Sequence, residues 1–373
     1  MYKKRTDLFD CNLVYFLILT FFVGIRILSS SVQINETVGY VLNAVIQIVL
    51  EFGLSVFLFT YLRKQKLKQT FSDYGYKKIS GKAVFISILL GILVYIATIF
   101  IASFFSMIMN LFGYEKSATQ EISSYPVWLL ILELFLTAIL PAICEETAHR
   151  GMLMNVYDKK LGTKKAIILS GLLFGLMHLN INQFFYATIL GFYFGYVAFM
   201  TKSIFPTMIM HFTNNAISTI MNYGTVNKLP FVDYVDNFIN SMFSGNPIVS
   251  ILSLFVFLFV TAILMYYLTN HLCKLTKINH LAKVADDVVK TKLRNDLMKD
   301  VPSAELSEET ISDEIVLDSQ EIGGKKIIKI DFKNSFTFNK PSYKPSIKEN
   351  MFLYASLFMG ILITVFTFIW GIL

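Results

Sequence analysis

The stretch at 141–151, PAICEETAHRG, places four ionisable side chains within six residues of an apolar segment: Glu145, Glu146, His149 and Arg150. The run before it reads VWLLILELFLTAILPAIC from Val127, and apolar residues resume after it until Asp158. This is the pattern of a membrane helix with charge inside it. On insertion scales a charged residue near the bilayer centre costs about 2.5–3.5 kcal/mol, so such residues usually face a cavity or a partner. The stretch therefore predicts a buried polar site.

Helical spacing sorts these side chains into two pairs. Glu146 and Arg150 are four residues apart with the acid first, which favours a salt bridge, and Glu145 and His149 form a second such pair. Glu145 then needs a cationic partner, either His149 or a group from another helix. The alternative is that the charges only snorkel to the headgroups. Asp158 lies 13 residues beyond Glu145, or about 20 Å along a continuous helix, which argues against snorkelling.

The composition excludes a soluble globular protein. Hydrophobic residues make up 55% of the 373 residues, Phe alone occurs 35 times, and the mean hydropathy is +0.58. The formal charge of +7 does not indicate nucleic-acid binding, because the basic residues cluster in short loops between apolar runs. We therefore expect a polytopic membrane protein whose immediate partner is the lipid bilayer.

The apolar runs predict an all-α bundle of about eight core transmembrane helices plus one C-terminal span. Each run is close to the roughly 20 residues that a membrane-spanning helix needs. The runs lie at 11–30, 38–62, 83–113, 127–157, 164–179, 183–201, 204–222, 248–270 and 351–372. The fifth is short enough for a tilted or partly re-entrant helix.

Basic residues concentrate in alternate connections and set the expected orientation in the cell membrane. The N-terminus and the connections at 63–82 and 158–165 are basic, whereas 29–37, 114–125 and 223–247 carry few basic residues. The positive-inside rule then places the N-terminus and the hydrophilic stretch 271–350 in the cytoplasm. We divide the chain into a transmembrane bundle at 1–270 with its core at 127–222, a cytoplasmic tail at 271–350, and a C-terminal transmembrane helix at 351–373.

The tail begins as a basic helical continuation, passes through an acidic run from Glu305 to Glu314, and ends rich in lysine. Its low hydrophobicity favours disorder or a small element that depends on a protein partner. Around Gly323-Gly324, the segments EIVLDSQEI and KKIIKIDF predict one β-hairpin.

Two other membrane segments carry histidine at a comparable depth. His178 lies 13 residues past Lys165, and Asn215 lies 13 residues past Lys202, each about 20 Å from a basic anchor. His211 is one helical turn before Asn215, so both can face one cavity. Together with Glu145 these residues suit water activation. The carboxylate takes a proton from water, His178 orients that water or a metal, and His211 and Asn215 donate hydrogen bonds to the oxyanion.

Three motifs follow in order on successive membrane segments: EExxxR at 145–150, FxxxH at 174–178 and HxxxN at 211–215. They resemble the CPBP family of intramembrane proteases, which contains type II CaaX prenyl endopeptidases and Abi-type bacteriocin-processing proteins. The resemblance covers about 127–222 and implies an all-helical core of about eight spans. It also implies that Glu145 and His178 activate water and that His211 and Asn215 stabilise the oxyanion, with Glu146 and Arg150 behind them.

The resemblance leaves the cofactor open. A zinc ion held by Glu145, His178 and His211 is one possibility, and a metal-free glutamate protease is the other. The sequence departs from the family pattern at His149, where an aromatic residue is common, and at Thr147-Ala148, where bulkier apolar residues are usual. An extra imidazole there can tune Glu145, or it can mark a member that no longer cleaves.

The leading hypothesis is an intramembrane endopeptidase acting on a membrane-associated peptide or protein. A second hypothesis is a non-catalytic scaffold of the same family that binds membrane signalling or envelope proteins. A third is a transporter that uses Glu51 and Glu133 with the central charges as a relay. The complete motif set favours the enzyme, whereas the tail and His149 favour the scaffold.

Overall fold

The architecture is known from a computed structural model, which describes residues 6–31, 36–114, 125–243, 246–297, 315–322, 325–332 and 344–370. The chain divides into two compact units. One comprises Met1–Lys277 with Lys340–Leu373, and the other is Ile278–Asn339. The first unit is a bundle of long apolar helices, which confirms the predicted all-α polytopic fold.

The helices follow the apolar runs of the sequence. Their bounds are α1 Asp7–Ser31, α2 36–63, α3 Leu67–Asp73, α4 Gly81–Leu111, α5 127–161, α6 Thr163–Met177, α7 Ile181–Thr201, α8 Phe205–Val226, α9 Pro230–Phe243, α10 Pro247–Leu297 and α11 Ile347–Trp370. Helix α2 is π-helical over Ile46–Leu58, and α5 is π-helical over Leu134–Ile139 and Thr147–Leu153. Such stretches are rare and often occur at functional sites, and all three lie in the two helices that carry Glu51 and the glutamate pair.

Seven of the described helices are long and apolar enough to cross a membrane, fewer than the nine expected. The two remaining runs correspond to α6 and α8. With 15 residues, α6 is about 22 Å long, shorter than the roughly 30 Å hydrocarbon core. Helix α8 has 22 residues but carries the polar side chains that face a cavity. Both helices contribute side chains to the interior of the bundle.

Helices α6 and α7 form an antiparallel hairpin with close backbone contact. A Cβ on Gly191 would lie 2.7 Å from the Cα of Gly171, and one on Gly175 would collide with Thr188. Small residues at these crossings let the two helices approach, as is common between membrane helices. The turn between them is shaped by Asn180, whose Oδ1 accepts from the backbone N of Asn182 at 2.8 Å. This packing fixes the end of α6, where His178 lies.

The C-terminal helix α11 packs against α1 and against the α6–α7 hairpin. Asn12 Nδ2 donates to the carbonyl oxygen of Glu349 at 2.9 Å. At the other end of α11, Thr367 Oγ1 accepts from the backbone N of Ile181 at 3.1 Å. The C-terminal span therefore supports the hairpin that carries His178, although it is far from it in sequence.

The connection between α2 and α4 contacts α5 near its charged stretch. Tyr76 shares a 2.5 Å hydrogen bond with Thr147, and Tyr74 donates to the carbonyl oxygen of Ser55 at 2.5 Å. Burial raises the pKa of Tyr76 to about 12, so the phenol stays neutral at physiological pH. The basic connection thus anchors α2 to α5.

The unit Ile278–Asn339 contains an antiparallel hairpin of β1, Ile315–Ile322, and β2, Lys325–Phe332. Ile322 pairs with Lys325 at the turn end, which confirms the hairpin predicted around Gly323-Gly324. Those two glycines and the acidic run Glu305–Glu314 lie outside the described residues. The predicted helical start of the tail is confirmed, because α10 continues to Leu297.

Candidate active site

Glu146 and Arg150 form the buried ion pair that their spacing predicts. Arg150 Nη1 donates to Glu146 Oε1 at 2.9 Å, and both side chains are fully buried. Arg150 also donates to the carbonyl oxygen of Gly191 at 3.2 Å, and its guanidinium lies 4.4 Å from the ring centroid of Phe174. A buried ion pair needs such additional hydrogen bonds to offset its desolvation. The pair therefore joins α5 to the α6–α7 hairpin.

Glu145 takes a different position from its neighbour. Its side chain is 15% exposed, and its Oε2 lies 3.9 Å from His211 Nε2. The side chain next to the Glu145 carboxylate thus comes from another helix, α8. Glu145 and Glu146 are adjacent in sequence, so their side chains leave the helix about 100° apart. The Glu146 carboxylate is therefore buried, whereas the Glu145 carboxylate is partly exposed.

His149 does not pair with the Glu145 carboxylate, contrary to the i, i+4 expectation. Its Nδ1 donates instead to the backbone oxygen of Glu145 at 2.9 Å. The fully buried ring packs edge-on against Tyr15 and Phe174. The imidazole turns back along the helix because two aromatic rings from α1 and α6 enclose it. His149, the residue that departs from the family pattern, therefore lies beside the cavity wall, and the Glu145 side chain faces the cavity.

His178 follows the last residue of α6, Met177, and its ring is held by its own helix. Nδ1 donates to the carbonyl oxygen of Phe174 at 2.9 Å. This hydrogen bond places a proton on Nδ1, so the neutral ring presents the Nε2 lone pair as an acceptor. Leu179 has a φ of 50°, an uncommon conformation for a non-glycine residue, and it ends the helix directly after His178.

His211 is oriented by the buried ion pair. Its Nδ1 donates to Glu146 Oε1 at 3.1 Å, the same oxygen that accepts from Arg150. The Nε2 atom then points towards Glu145. A carboxylate on one ring nitrogen fixes both the tautomer and the ring orientation. Glu146 therefore acts by positioning His211 and has no direct access to the cavity.

The amide of Asn215 is held by two neighbours. Its Nδ2 donates to the carbonyl oxygen of Thr137 at 2.9 Å, and its Oδ1 accepts from Asn214 Nδ2 at 2.8 Å. Thr98 donates to Asn214 Oδ1 at 3.3 Å. These contacts leave the second hydrogen of the Asn215 amide for a ligand.

Sequence reasoning gave no role to Asn214, Thr98 or Thr137. Asn214 had a signal, because it stands next to Asn215. Thr98 and Thr137 had no such signal in the sequence, since each lies in an apolar run. Each also donates to the carbonyl oxygen four residues earlier, as threonines in membrane helices commonly do.

Phe174 is the shared wall of the site. Its ring lies edge-on to His178 and His211 at centroid distances of 5.2 Å and 5.9 Å, and to His149 at 5.1 Å. Phe174 therefore contacts three imidazole rings, and its ring also lies against the Arg150 guanidinium. The aromatic position of the FxxxH motif thus has a packing role that spacing alone does not reveal.

Four of the predicted residues line one cavity of about 1150 Å³, the main cavity: Glu145, His178, His211 and Asn215. Asn214, Thr98 and Thr137 line it as well. Glu146 and Arg150 lie behind the wall. The four residues that the sequence predicts to share a site therefore line one cavity, and the structure adds polar residues beside them.

The zinc ion that the sequence leaves open stays a prediction. Within the described residues, no group of three His, Cys, Asp or Glu side chains is arranged to hold a metal ion. Glu145, His178 and His211 all line the main cavity, and the hydrogen bonds on Nδ1 of His178 and His211 leave Nε2 as the open nitrogen of each ring.

Comparison with curated proteins and with solved structures gave no match. Residues 126–217 match the family model described as Type II CAAX prenyl endopeptidase Rce1-like. This segment contains all three motifs and the cavity residues Glu145, His178, His211 and Asn215. Over 126–217 the chain is therefore similar to this family, in agreement with the resemblance that its three motifs carry.

Proposed function

We propose that the protein is an intramembrane endopeptidase that hydrolyses a peptide bond of a membrane-associated peptide or protein. The observation that carries this proposal is the meeting of Glu145, His178, His211 and Asn215 in one cavity, with His211 locked by Glu146. A carboxylate, two oriented imidazoles and an amide are the groups that water attack on a carbonyl requires.

The proposed reaction begins with a water molecule between Glu145 and His178. The water donates a hydrogen bond to His178 Nε2 and gives its other proton to the Glu145 carboxylate. Its oxygen then attacks the carbonyl carbon of the substrate. When the tetrahedral intermediate collapses, the C–N bond breaks and the leaving nitrogen takes the proton from Glu145. The carboxylate is thereby restored, and the products are an acid and an amine.

The oxyanion is stabilised from α8. Asn215 donates its free amide hydrogen, and His211 donates from Nε2 when its ring carries both protons. The Glu146 carboxylate accepts from Nδ1 at 3.1 Å, which holds the ring in place with Nε2 on the side of Glu145. Donors that are fixed before the reaction need no reorganisation as charge develops, which is the usual source of oxyanion stabilisation.

The experiment that tests this function compares Glu145→Gln and His178→Ala with wild type on a peptide library. The purified full chain is used, and products are identified by mass spectrometry. Both variants should lose cleavage and keep wild-type accumulation in the membrane, because each side chain faces the cavity. Glu133→Gln is the matched control, since it makes the same change on the same helix at a residue outside the cavity lining. Cleavage that survives Glu145→Gln would contradict the proposal.

A non-catalytic scaffold is the second candidate, and the unit Ile278–Asn339 favours it. This unit lies outside the matched segment, and its hairpin can serve as a partner-binding element. The two candidates separate in cells. A biological phenotype that persists in Glu145→Gln and disappears on deletion of 278–339 supports the scaffold, and the reverse supports the enzyme.

A further inference from the structure

A second cavity of about 390 Å³ meets the reacting groups from the side of α2. Its polar lining includes Arg26, Gln47, Glu51, Glu145, His178 and Gln183. Glu145 and His178 line this cavity and the main cavity alike. A group bound in the second cavity would therefore lie directly beside the bond that is cleaved.

Two buried acceptors in this cavity have no hydrogen-bond donor among the described residues. They are Glu51 Oε2 and Gln47 Oε1. Glu51 is 3% exposed and Gln47 is 8% exposed. The two residues are four apart on the π-helical stretch Ile46–Leu58. A buried acceptor without a donor costs free energy, and the cost is larger for a carboxylate. The site is thus built to receive a donor.

Arg26 does not supply that donor. Its guanidinium lies 5.7 Å from the ring centroid of Phe22, and within the described part of the chain no ion pair joins it to Glu51. Arg26 stands at the exposed rim of the cavity, near the end of α1. The Glu51 carboxyl group is therefore available to a group from outside the chain.

The side chains that line the cavity favour an organic cation. Besides Ser29 and Asn43, the wall contains apolar side chains, including Ile25, Leu42, Ile46 and Met177. Such a wall suits a methylene stem, and the paired acceptors suit an ammonium or guanidinium head with several N–H donors. The volume lies within the range of about 300–1,000 Å³ typical of ligand pockets. Among the described residues, no group of three His, Cys, Asp or Glu side chains is arranged to hold a metal ion.

We propose that the second cavity is a specificity subsite for a lysine or arginine side chain of the substrate, adjacent to the scissile bond. The cationic head bonds to Glu51 and Gln47, and the stem lies against the apolar wall. This inference rests on the proposed endopeptidase function. Glu51 determines which peptide is held and does not contact the reacting atoms.

The first test measures the kcat/KM of two peptides that differ only by lysine or norleucine beside the cleaved bond. Wild type should prefer lysine by about tenfold to a hundredfold, the range expected for a hydrogen bond to a buried charge. Glu51→Gln should lose that preference, whereas the control Glu133→Gln should keep it. Glu51→Asp, which keeps the charge on a shorter side chain, should retain part of it. An unchanged preference in Glu51→Gln, or no basic preference in wild type, would overturn the subsite.

The second test does not depend on cleavage. The melting temperature of the detergent-solubilised full chain is measured with n-butylammonium or n-butanol. Butylammonium should raise the melting temperature of wild type and of Glu133→Gln, and should not raise that of Glu51→Gln. Equal shifts in all three proteins would refute the subsite. If no peptide is cleaved while the Glu51-dependent shift is present, the cation site stands and the endopeptidase function fails.

Discussion

At the scale of single residues, two adjacent glutamates have separate roles because they lie on different faces of α5. Glu146 is sealed inside the bundle with Arg150 and His211, whereas Glu145 faces the main cavity. The first builds the site and the second does the chemistry in the proposed reaction. Substitutions at the two positions should therefore fail in different ways.

Removal of one partner of the buried ion pair should destabilise the protein. Glu146→Ala or Arg150→Ala leaves an unpaired buried charge, for which the expected loss is about 3–5 kcal/mol. Both variants should show lower accumulation and a lower melting temperature, together with lower activity. The double variant Glu146→Leu with Arg150→Leu is the control, since it removes both charges and should be less destabilised than either single variant. Wild-type melting of the single variants would contradict the assigned role.

His211→Ala distinguishes a hydrogen-bonding role from a metal-binding one. If His211 only donates to the oxyanion, turnover should fall by about 10²–10³ while metal content is unchanged. If His211 is a zinc ligand, metal and activity should disappear together, because a site with three protein ligands rarely keeps its ion on two. Elemental analysis of purified wild type is the companion measurement. Full activity with far less than one equivalent of metal would leave Glu145 and His178 as the water-activating groups.

At the scale of helices, the contact between α6 and α7 sets the geometry of the site. Gly191 lies against Gly171, and its carbonyl oxygen accepts from Arg150. The hairpin thus positions both His178 and the ion pair that orients His211. A change in the distance between these two helices should reach the site without altering any polar residue in it.

Gly191→Ala should separate α6 from α7, because the new Cβ would lie 2.7 Å from the Cα of Gly171. The expected loss of stability is about 1–3 kcal/mol, the usual cost of overpacking a well-packed interior. Thermal unfolding in detergent measures it, and peptide cleavage should fall in parallel. Gly24→Ala is the matched control, since its Cβ would meet nothing within 4 Å. Equal melting temperatures for the two variants would show that the hairpin tolerates the separation.

At the scale of the whole molecule, the distribution of basic residues predicts the orientation in the membrane. The positive-inside rule places 271–350 and the connection at 63–82 on the cytoplasmic side. The structure agrees that the start of α1 and the end of α2 lie together, because Arg63 pairs with Asp7. Helix α6 is shorter than the hydrocarbon core of a membrane. If the number of membrane crossings predicted from the sequence is wrong, the error lies at α6.

Cysteine labelling tests the orientation. Single cysteines are introduced at Ser303, Asn227 or Asn35 in a chain whose three native cysteines, Cys11, Cys144 and Cys273, have been replaced. In intact cells an impermeant reagent should label positions 227 and 35 and leave position 303 protected. Labelling at all three sites after permeabilisation is the control. Labelling of position 303 from outside would mean that the chain crosses the membrane once more or once less than the basic loops indicate.

The sequence by itself determined the features that depend on one segment at a time. Membrane class follows from the apolar runs, the Glu146–Arg150 pair from helical spacing, and the β-hairpin from two strand-like segments around a Gly-Gly turn. The sequence also predicted that Glu145, His178 and Asn215 share a site, because distance along a helix is proportional to residue number, and all three line the main cavity.

Only the tertiary structure decided how the helices are rotated about their axes and which side chains meet between them. Spacing placed His149 beside Glu145, but the rings of Tyr15 and Phe174 hold it elsewhere. The relay from Thr98 through Asn214 to Asn215 joins different helices, and no pattern within either segment indicates it. Glu51 looked like one isolated charge in an apolar run, and the fold placed it in a cavity with Glu145. Contacts between helices depend on the packing of the complete bundle, so the sequence of one segment does not predict them.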